Sequence, residues 1–262
     1  MTVATTSADA QALKDALARL AATPRLLVAL DFDGTVSPLV DNPSDSRVLP
    51  EARAALTELE RMPDTWFAFV SGRPLANLVR VTEADDEVLL IASHGVEVRL
   101  EGGAVDVGLD DDEQARLAAL SARLDAIVAR TPGSKLEHKP VGLGLHTRGV
   151  PAEAAARADE AARDAAREVG GTFLERAGKD ILEFSVRDAT KGDGLQRLRR
   201  HVDATGMLFA GDDVTDEDGF AALGHDDIGI KVGQGETRAR FRVADPDAVA
   251  GLLSQLVSLR RR

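Results

Sequence analysis

Leu26-Leu27-Val28-Ala29-Leu30-Asp31-Phe32-Asp33-Gly34-Thr35 is a short apolar run that ends on an acidic turn. An unbroken apolar stretch of this length reads as a buried strand, here one that closes on a carboxylate. Ligands of open α/β sheets bind beyond the carboxyl ends of the strands, so Asp31 and Asp33 fall where a site is expected. Gly34 permits the tight turn that brings backbone N–H groups towards an anion. Two carboxylates one residue apart can divide labour, one attacking as a nucleophile and the other moving a proton. The alternative is an acidic turn capping a helix, a common reading of isolated Asp residues that the chain's further motifs disfavour.

Outward from this stretch, short apolar runs alternate with helical periodicity, the pattern of a parallel sheet covered by helices. Helical spacing over 51–61 precedes a strand at 66–70, which runs into Ser71-Gly72-Arg73-Pro74, and 88–92 is a third strand. The middle of the chain differs. Strands at 96–100 and 104–107 flank Glu101-Gly102-Gly103 as an antiparallel hairpin. Helices over 111–130 and 151–169 alternate with strands near 135–139, 142–147, 172–175 and 181–185. The parallel pattern then resumes with a helix after Lys191, strands at 207–210 and 228–232, and a last helix from about Pro246. The expectation is an α/β core over 1–104 and 187–262, with a small α/β domain inserted at 105–186. The alanine-rich stretch 152–166 carries enough Arg, Glu and Asp to read as a solvated helix rather than low complexity.

The 262 residues carry 44 acidic and 32 basic side chains, a formal net charge of −12. An acidic chain whose only basic run is Arg260 to Arg262 argues against nucleic acid as a partner. With no cysteine there is no disulfide framework, thiolate chemistry or Cys-based zinc site. No apolar run approaches the roughly 18 residues of a membrane span, and residues 7–20 read as an amphipathic helix instead of a signal peptide. A soluble, cytoplasmic monomer without a membrane partner is expected.

Further chemistry follows three other strands or turns. Gly211-Asp212-Asp213-Val214-Thr215-Asp216-Glu217-Asp218 crowds five carboxylates into seven residues after the 207–210 strand. Such charges repel unless a cation stabilises them, and Mg²⁺ fits because it binds through one or two carboxylates plus water and substrate phosphate. The helical alternative makes Thr215 an N-cap followed by an acidic first turn. Both can hold, with Asp212 and Asp213 or Asp216 functional and Asp218 merely solvated. Ser71-Gly72-Arg73 places a hydroxyl, a glycine amide and a guanidinium at a strand end, a set suited to phosphate. Lys191 opens the segment Lys191-Gly192-Asp193-Gly194, where a lone lysine would ordinarily be solvated.

These four elements, in this order, resemble the motifs of the haloacid dehalogenase superfamily of phosphotransferases. The resemblance implies a Rossmann-like core with a parallel sheet between helices and an inserted C2-type cap. It assigns Asp31 as the nucleophile that forms an aspartyl-phosphate and Asp33 as general acid and base. Ser71, Gly72, Arg73 and Lys191 become phosphate ligands. Mg²⁺ would be held by Asp31, Asp33 through its backbone carbonyl, and Asp212, with Asp213 or Asp216 as a further candidate.

The stretches between these motifs narrow the resemblance. Ser93-His94-Gly95-Val96-Glu97, Glu137-His138-Lys139-Pro140, Leu145-His146-Thr147-Arg148 and Ile181-Leu182-Glu183, together with Gly211-Asp212-Asp213-Val214-Thr215-Asp216, are similar to the trehalose-6-phosphate phosphatase family. The similarity covers roughly residues 26–232 and implies hydrolysis of trehalose 6-phosphate without an attached synthase domain. By the same resemblance Glu137, Lys139 and Glu183 would contact the sugar. His146, on an alternating strand, reads as structural, and His94 as either structural or an orienting group for the cap. His201 and His225 lack metal-ligand spacing. Inactive relatives lose the nucleophile or the metal acid, whereas Asp31, Asp33, Lys191 and Asp212 are all present here.

Overall fold

The computed structural model describes residues 7–178 and 180–261. Along the chain run α1 (Ser7–Ala21), β1 (Leu26–Asp31), α2 (Pro50–Glu60), β2 (Thr65–Val70), α3 (Leu75–Thr82), β3 (Leu89–Ala92), β4 (Glu97–Arg99) and β5 (Val105–Asp106). Next come α4 (Asp111–Val128), β6 (Lys135–Lys139), β7 (Gly142–His146), α5 (Ala152–Val169), β8 (Leu174–Gly178) and β9 (Ile181–Ser185). The chain ends with α6 (Lys191–His201), β10 (Gly206–Gly211), α7 (Asp216–Ala221), β11 (Ile228–Val232), β12 (Phe241–Val243) and α8 (Pro246–Arg260). Two compact units result, one ending at Asp106 and resuming at Ala189, the other spanning Val107–Asp188.

In the first unit the described strands form one sheet in the order β12-β11-β10-β1-β2-β3-β4-β5. Strands β12 to β3 are parallel, and β4 and β5 add an antiparallel edge, so the 96–107 hairpin belongs to this sheet. Leu26, Val28 and Leu30 enter one core layer with α1, α2, α3 and α8, while Leu27 and Ala29 enter another with Leu195, Leu198 and Phe220. Burial on both faces is why β1 reads as an unbroken apolar run instead of an alternation. Strand order reverses at β1, whose neighbours are β2 on one side and β10 on the other. A crevice at the carboxyl ends of strands forms at such a reversal, which selects the ends of β1 and β10.

The second unit is an antiparallel sheet in the order β6-β7-β9-β8 with α4 and α5 on one face. Leu143, Leu145, Leu182 and Phe184 pack under Leu120, Leu124 and the alanines of α5. Asp110 and Glu113 form a reciprocal capping box that starts α4. The strand expected near 172–175 lies instead at Leu174–Gly178, an exposed edge where no alternating burial marks its register. Among the described residues no helix is long and apolar enough to cross a membrane.

Candidate active site

Asp31 ends β1 and is 4% exposed. Lys191, 3% exposed, opens α6, and its Nζ donates to Asp31 Oδ1 at 2.7 Å and to Asp216 Oδ1 at 2.7 Å. Thr190 caps that helix through a reciprocal box with Asp193, which fixes where Lys191 enters. Burial pulls the Lys191 ammonium down, but Asp31 and Asp216 outweigh it and hold its pKa above the ordinary lysine value. Burial pushes the Asp31 carboxyl upward, with Lys191 opposing.

Asp212 follows β10, and burial and the Asp216 charge raise its carboxyl above the usual range. Carboxylate oxygens of Asp31, Asp212 and Asp216 lie within 4.8 Å of one another. One lysine serves two of these carboxylates and leaves the third without an ammonium partner, and a close all-oxygen donor set suits a hard divalent cation. The residues present therefore fit a bound divalent cation. Two glycines make the approach possible. A Cβ on Gly34, whose φ is +79°, would sit 2.2 Å from Asp212 Oδ2, and one on Gly211 would sit 2.3 Å from Asp216 Cγ.

Asp33 and Asp213 send their carboxylates elsewhere. Arg73 grips Asp33 with both edges of its fork, Nε to Oδ2 at 2.6 Å and Nη2 to Oδ1 at 2.7 Å. Ser46 Oγ adds a bond to Asp33 Oδ1 at 3.1 Å, and Asn77 Oδ1 anchors Arg73 Nη1 at 2.7 Å. Arg73, expected as a phosphate ligand, thus spends its guanidinium on Asp33. The residues of this clasp line a cavity of about 460 Å³ with Leu39, Val40 and Pro43. Asp213 accepts from the N–H of Val214 at 2.7 Å, while Thr215 makes no side-chain cap; the N–H of Asp213 is instead satisfied by Asp216 Oδ2 at 2.9 Å. Asp218 is exposed, as expected.

Ser71 is buried, and its Oγ accepts from the N–H of Arg73 at 3.1 Å. Next to this loop, Ser93, His94 and Gly95 all have positive φ. The turn is wedged in place: a Cβ on Gly72 would meet His94 Cε1 at 2.3 Å, and one on Gly95 would meet Thr190 O at 1.9 Å. The Ser71 loop and the start of α6 are thereby tied through one left-handed turn. Glu97 supports it, accepting from Ser93 Oγ at 2.7 Å and from the N–H of Leu75 at 3.3 Å.

Sequence reasoning missed Lys231. This residue of β11 is 4% exposed, and its Nζ donates to the backbone carbonyls of Asp212 at 2.5 Å and Asp213 at 3.3 Å. A lysine inside the otherwise apolar Ile228–Val232 strand was the available signal, since a buried ammonium needs partners.

In the second unit Glu137 and Lys139 share one face of β6. Lys139 pairs with Glu183, and His146 Nε2 lies 2.8 Å from Glu137 Oε2. That contact holds the Glu137 carboxyl below its usual range.

The family model described as trehalose-phosphatase matches residues 29–247. The chain belongs to the trehalose-phosphatase family. A trehalose-phosphate phosphatase of Mycobacterium avium is 32% identical over 75% of this chain, and the match spans 51% of that relative, about half its length. A trehalose-6-phosphate phosphatase-related protein of Thermoplasma acidophilum is 30% identical over 84% of this chain and 91% of its own. The structure of Aspergillus fumigatus trehalose-6-phosphate phosphatase superposes with a TM-score of 0.68 at 26% identity, covering 94% of this chain and 97% of that one. The α/β fold with a mostly parallel central sheet is shared with a haloacid dehalogenase-like hydrolase of B. subtilis, which superposes with a TM-score of 0.52 at 17% identity over 87% of this chain and 98% of that one.

Proposed function

We propose that this chain hydrolyses trehalose 6-phosphate to trehalose and inorganic phosphate, with Asp31 as nucleophile and Mg²⁺ as cofactor. The observation that carries this reading is the family match across residues 29–247, with Asp31 buried beside Lys191 inside it. A carboxylate oxygen of Asp31 attacks phosphorus, and the bond from phosphorus to the sugar oxygen breaks. The leaving oxygen takes a proton from Asp33. Water then attacks the aspartyl-phosphate and gives its proton to Asp33, and cleavage of the acyl-phosphate bond restores the Asp31 carboxylate.

Lys191 offsets charge on the transferring group, which is most of what phosphoryl transfer asks of a protein. Ser71 and the amide of Gly72 would orient phosphate oxygens. Arg73 occupies both carboxylate oxygens of Asp33, so proton delivery requires that carboxyl to leave the fork. Asp31, Asp212 and Asp216 would hold the Mg²⁺, with the Asp33 carbonyl as a further oxygen; bound there, the ion supplies charge neutralisation and orientation to the phosphoryl group. Glu137, Lys139 and Glu183 would read the sugar, since such side chains discriminate between hydroxyl arrangements.

The test is phosphate release from trehalose 6-phosphate, glucose 6-phosphate and sucrose 6-phosphate, each with Mg²⁺ and with EDTA. Metal-dependent release from the first substrate alone is expected. Equal release from all three would overturn the substrate assignment, and release from none would overturn the reaction.

A further inference from the structure

The polar face of the small sheet contains two positions that the proposed reaction has not used. In its register Glu137 of β6 and Glu183 of β9 both stand opposite Gly144 of β7, and Lys139 stands opposite Gly142. The central strand therefore carries no side chain at two successive positions of this face, and His146 comes next. Neighbouring strands lie about 4.8 Å apart, so the backbones bearing the two carboxylates are roughly 10 Å apart across bare β7. Over that gap Lys139 reaches Glu183, and at its end His146 holds Glu137.

The two glycines differ in what requires them. At Gly142 a Cβ would lie 2.5 Å from the Phe184 carbonyl oxygen, a backbone conflict that explains the residue by packing alone. Gly144 has no such conflict and no positive φ. The nearest atoms a Cβ there would meet are Ile181 Cδ1 at 3.3 Å and the Glu137 side chain, at 3.5 Å to Oε2. Glycine weakens a strand interior and often marks close approach of a ligand or of another group. A methyl group at this position would press on the end of Ile181 and fill the space beside the Glu137 carboxylate, in van der Waals contact with it.

We propose that Gly144 and His146 are positioning residues for sugar recognition. Gly144 leaves the space in which Glu137 and Glu183 oppose each other, and His146 fixes the Glu137 carboxylate. Two acceptors and the Lys139 donor are then presented to the hydroxyls of a single pyranose ring, which offers both donors and acceptors. The inference rests on the reading of this chain as a sugar-phosphate phosphatase and adds which residues of the central strand set its selectivity.

The experiment compares wild type, Gly144→Ala, His146→Ala and His146→Gln with two substrates, trehalose 6-phosphate and p-nitrophenyl phosphate. Gly144→Ala and His146→Ala are expected to raise KM for the sugar phosphate about ten-fold, with a smaller change in kcat. KM for the aryl phosphate should not move, because it offers no hydroxyls to this face. His146→Gln, which keeps an N–H within reach of Glu137, should recover most of the loss. If Gly144→Ala fails to fold by circular dichroism, the His146 pair decides the matter. KM values for trehalose 6-phosphate within about two-fold of wild type in the folded variants would overturn the proposal and leave the phosphatase reading standing. Wild type that cleaves p-nitrophenyl phosphate but not trehalose 6-phosphate would overturn that reading, and the ligand assigned to this face with it.

Discussion

Replacing Lys191 with methionine removes the ammonium between two carboxylates that solvent barely reaches. Lys191 is 3% exposed, Asp31 4% and Asp216 0%, and both contacts are 2.7 Å. Methionine keeps similar bulk, so the change is mainly one of charge. Deleting one partner of a buried pair costs about 3–5 kcal/mol, because the charge left behind has neither water nor partner. For a domain of this size each kcal/mol moves Tm by about 2–4 °C, so a fall of roughly 6–20 °C is expected. The pH dependence has a definite sign. Asp31 and Asp216 hold the Lys191 pKa above its ordinary value, so its contribution in wild type is complete below about pH 10 and is lost only as pH rises through the folded-state value. In Lys191→Met nothing opposes the burial that raises the Asp31 carboxyl, and the deficit should shrink as pH is lowered from 7 towards 5. Adding Asp31→Asn removes one stranded charge and should recover part of the lost stability. Thermal unfolding followed by circular dichroism in EDTA measures all of this. A Tm for Lys191→Met within about 2 °C of wild type at pH 7 would refute the reasoning.

Three other outcomes are expected. Lys231→Met should weaken Mg²⁺ binding measured by calorimetry, because the Asp212–Asp213 carbonyls lose their anchor; unchanged affinity would leave the lysine a structural role only. Gly34→Ala should lower Tm and phosphate release together, since a Cβ would overlap Asp212 at 2.2 Å and the left-handed φ costs about 1–2 kcal/mol more; a fully active variant would contradict the packing described. Asp159→Asn should stabilise the protein. Burial raises the Asp159 pKa and its Oδ1 has no hydrogen-bond partner, so the cost is absent below the unfolded-state pKa, grows as pH rises from there to the folded-state value, and is complete above it. The gain in Tm should accordingly be larger at pH 7 than at pH 4, and a gain independent of pH would place the effect elsewhere.

The parts of this structure legible in sequence are those whose burial is uniform or strictly periodic. Strands β1 and β10 read clearly because every residue in them is buried. The edge strand β8 read two residues early because all five of its residues are exposed and nothing fixed its phase. Asp31 and Lys191 stand in separate sequence motifs, and their contact joins residues 160 positions apart and is visible only in the fold. Arg73 reads from sequence as a phosphate ligand, whereas in the fold its guanidinium meets Asp33, because sequence places a guanidinium at the strand end without specifying its partner. Thr215 looked like an N-cap, yet its backbone is already helical and Asp216 takes over the hydrogen bonding of that turn. The His146 contact with Glu137 depends on strand register, which no local pattern specifies.

Asp31→Asn tests the central claim most directly. Asparagine keeps the shape of the side chain but is a far poorer nucleophile towards phosphorus, so phosphate release from trehalose 6-phosphate in saturating Mg²⁺ should fall by about 10³-fold or more while the protein remains folded. A folded Asp31→Asn variant that retains about a tenth of the wild-type rate would remove Asp31 as the nucleophile, and with it the assignment of the reaction to this site.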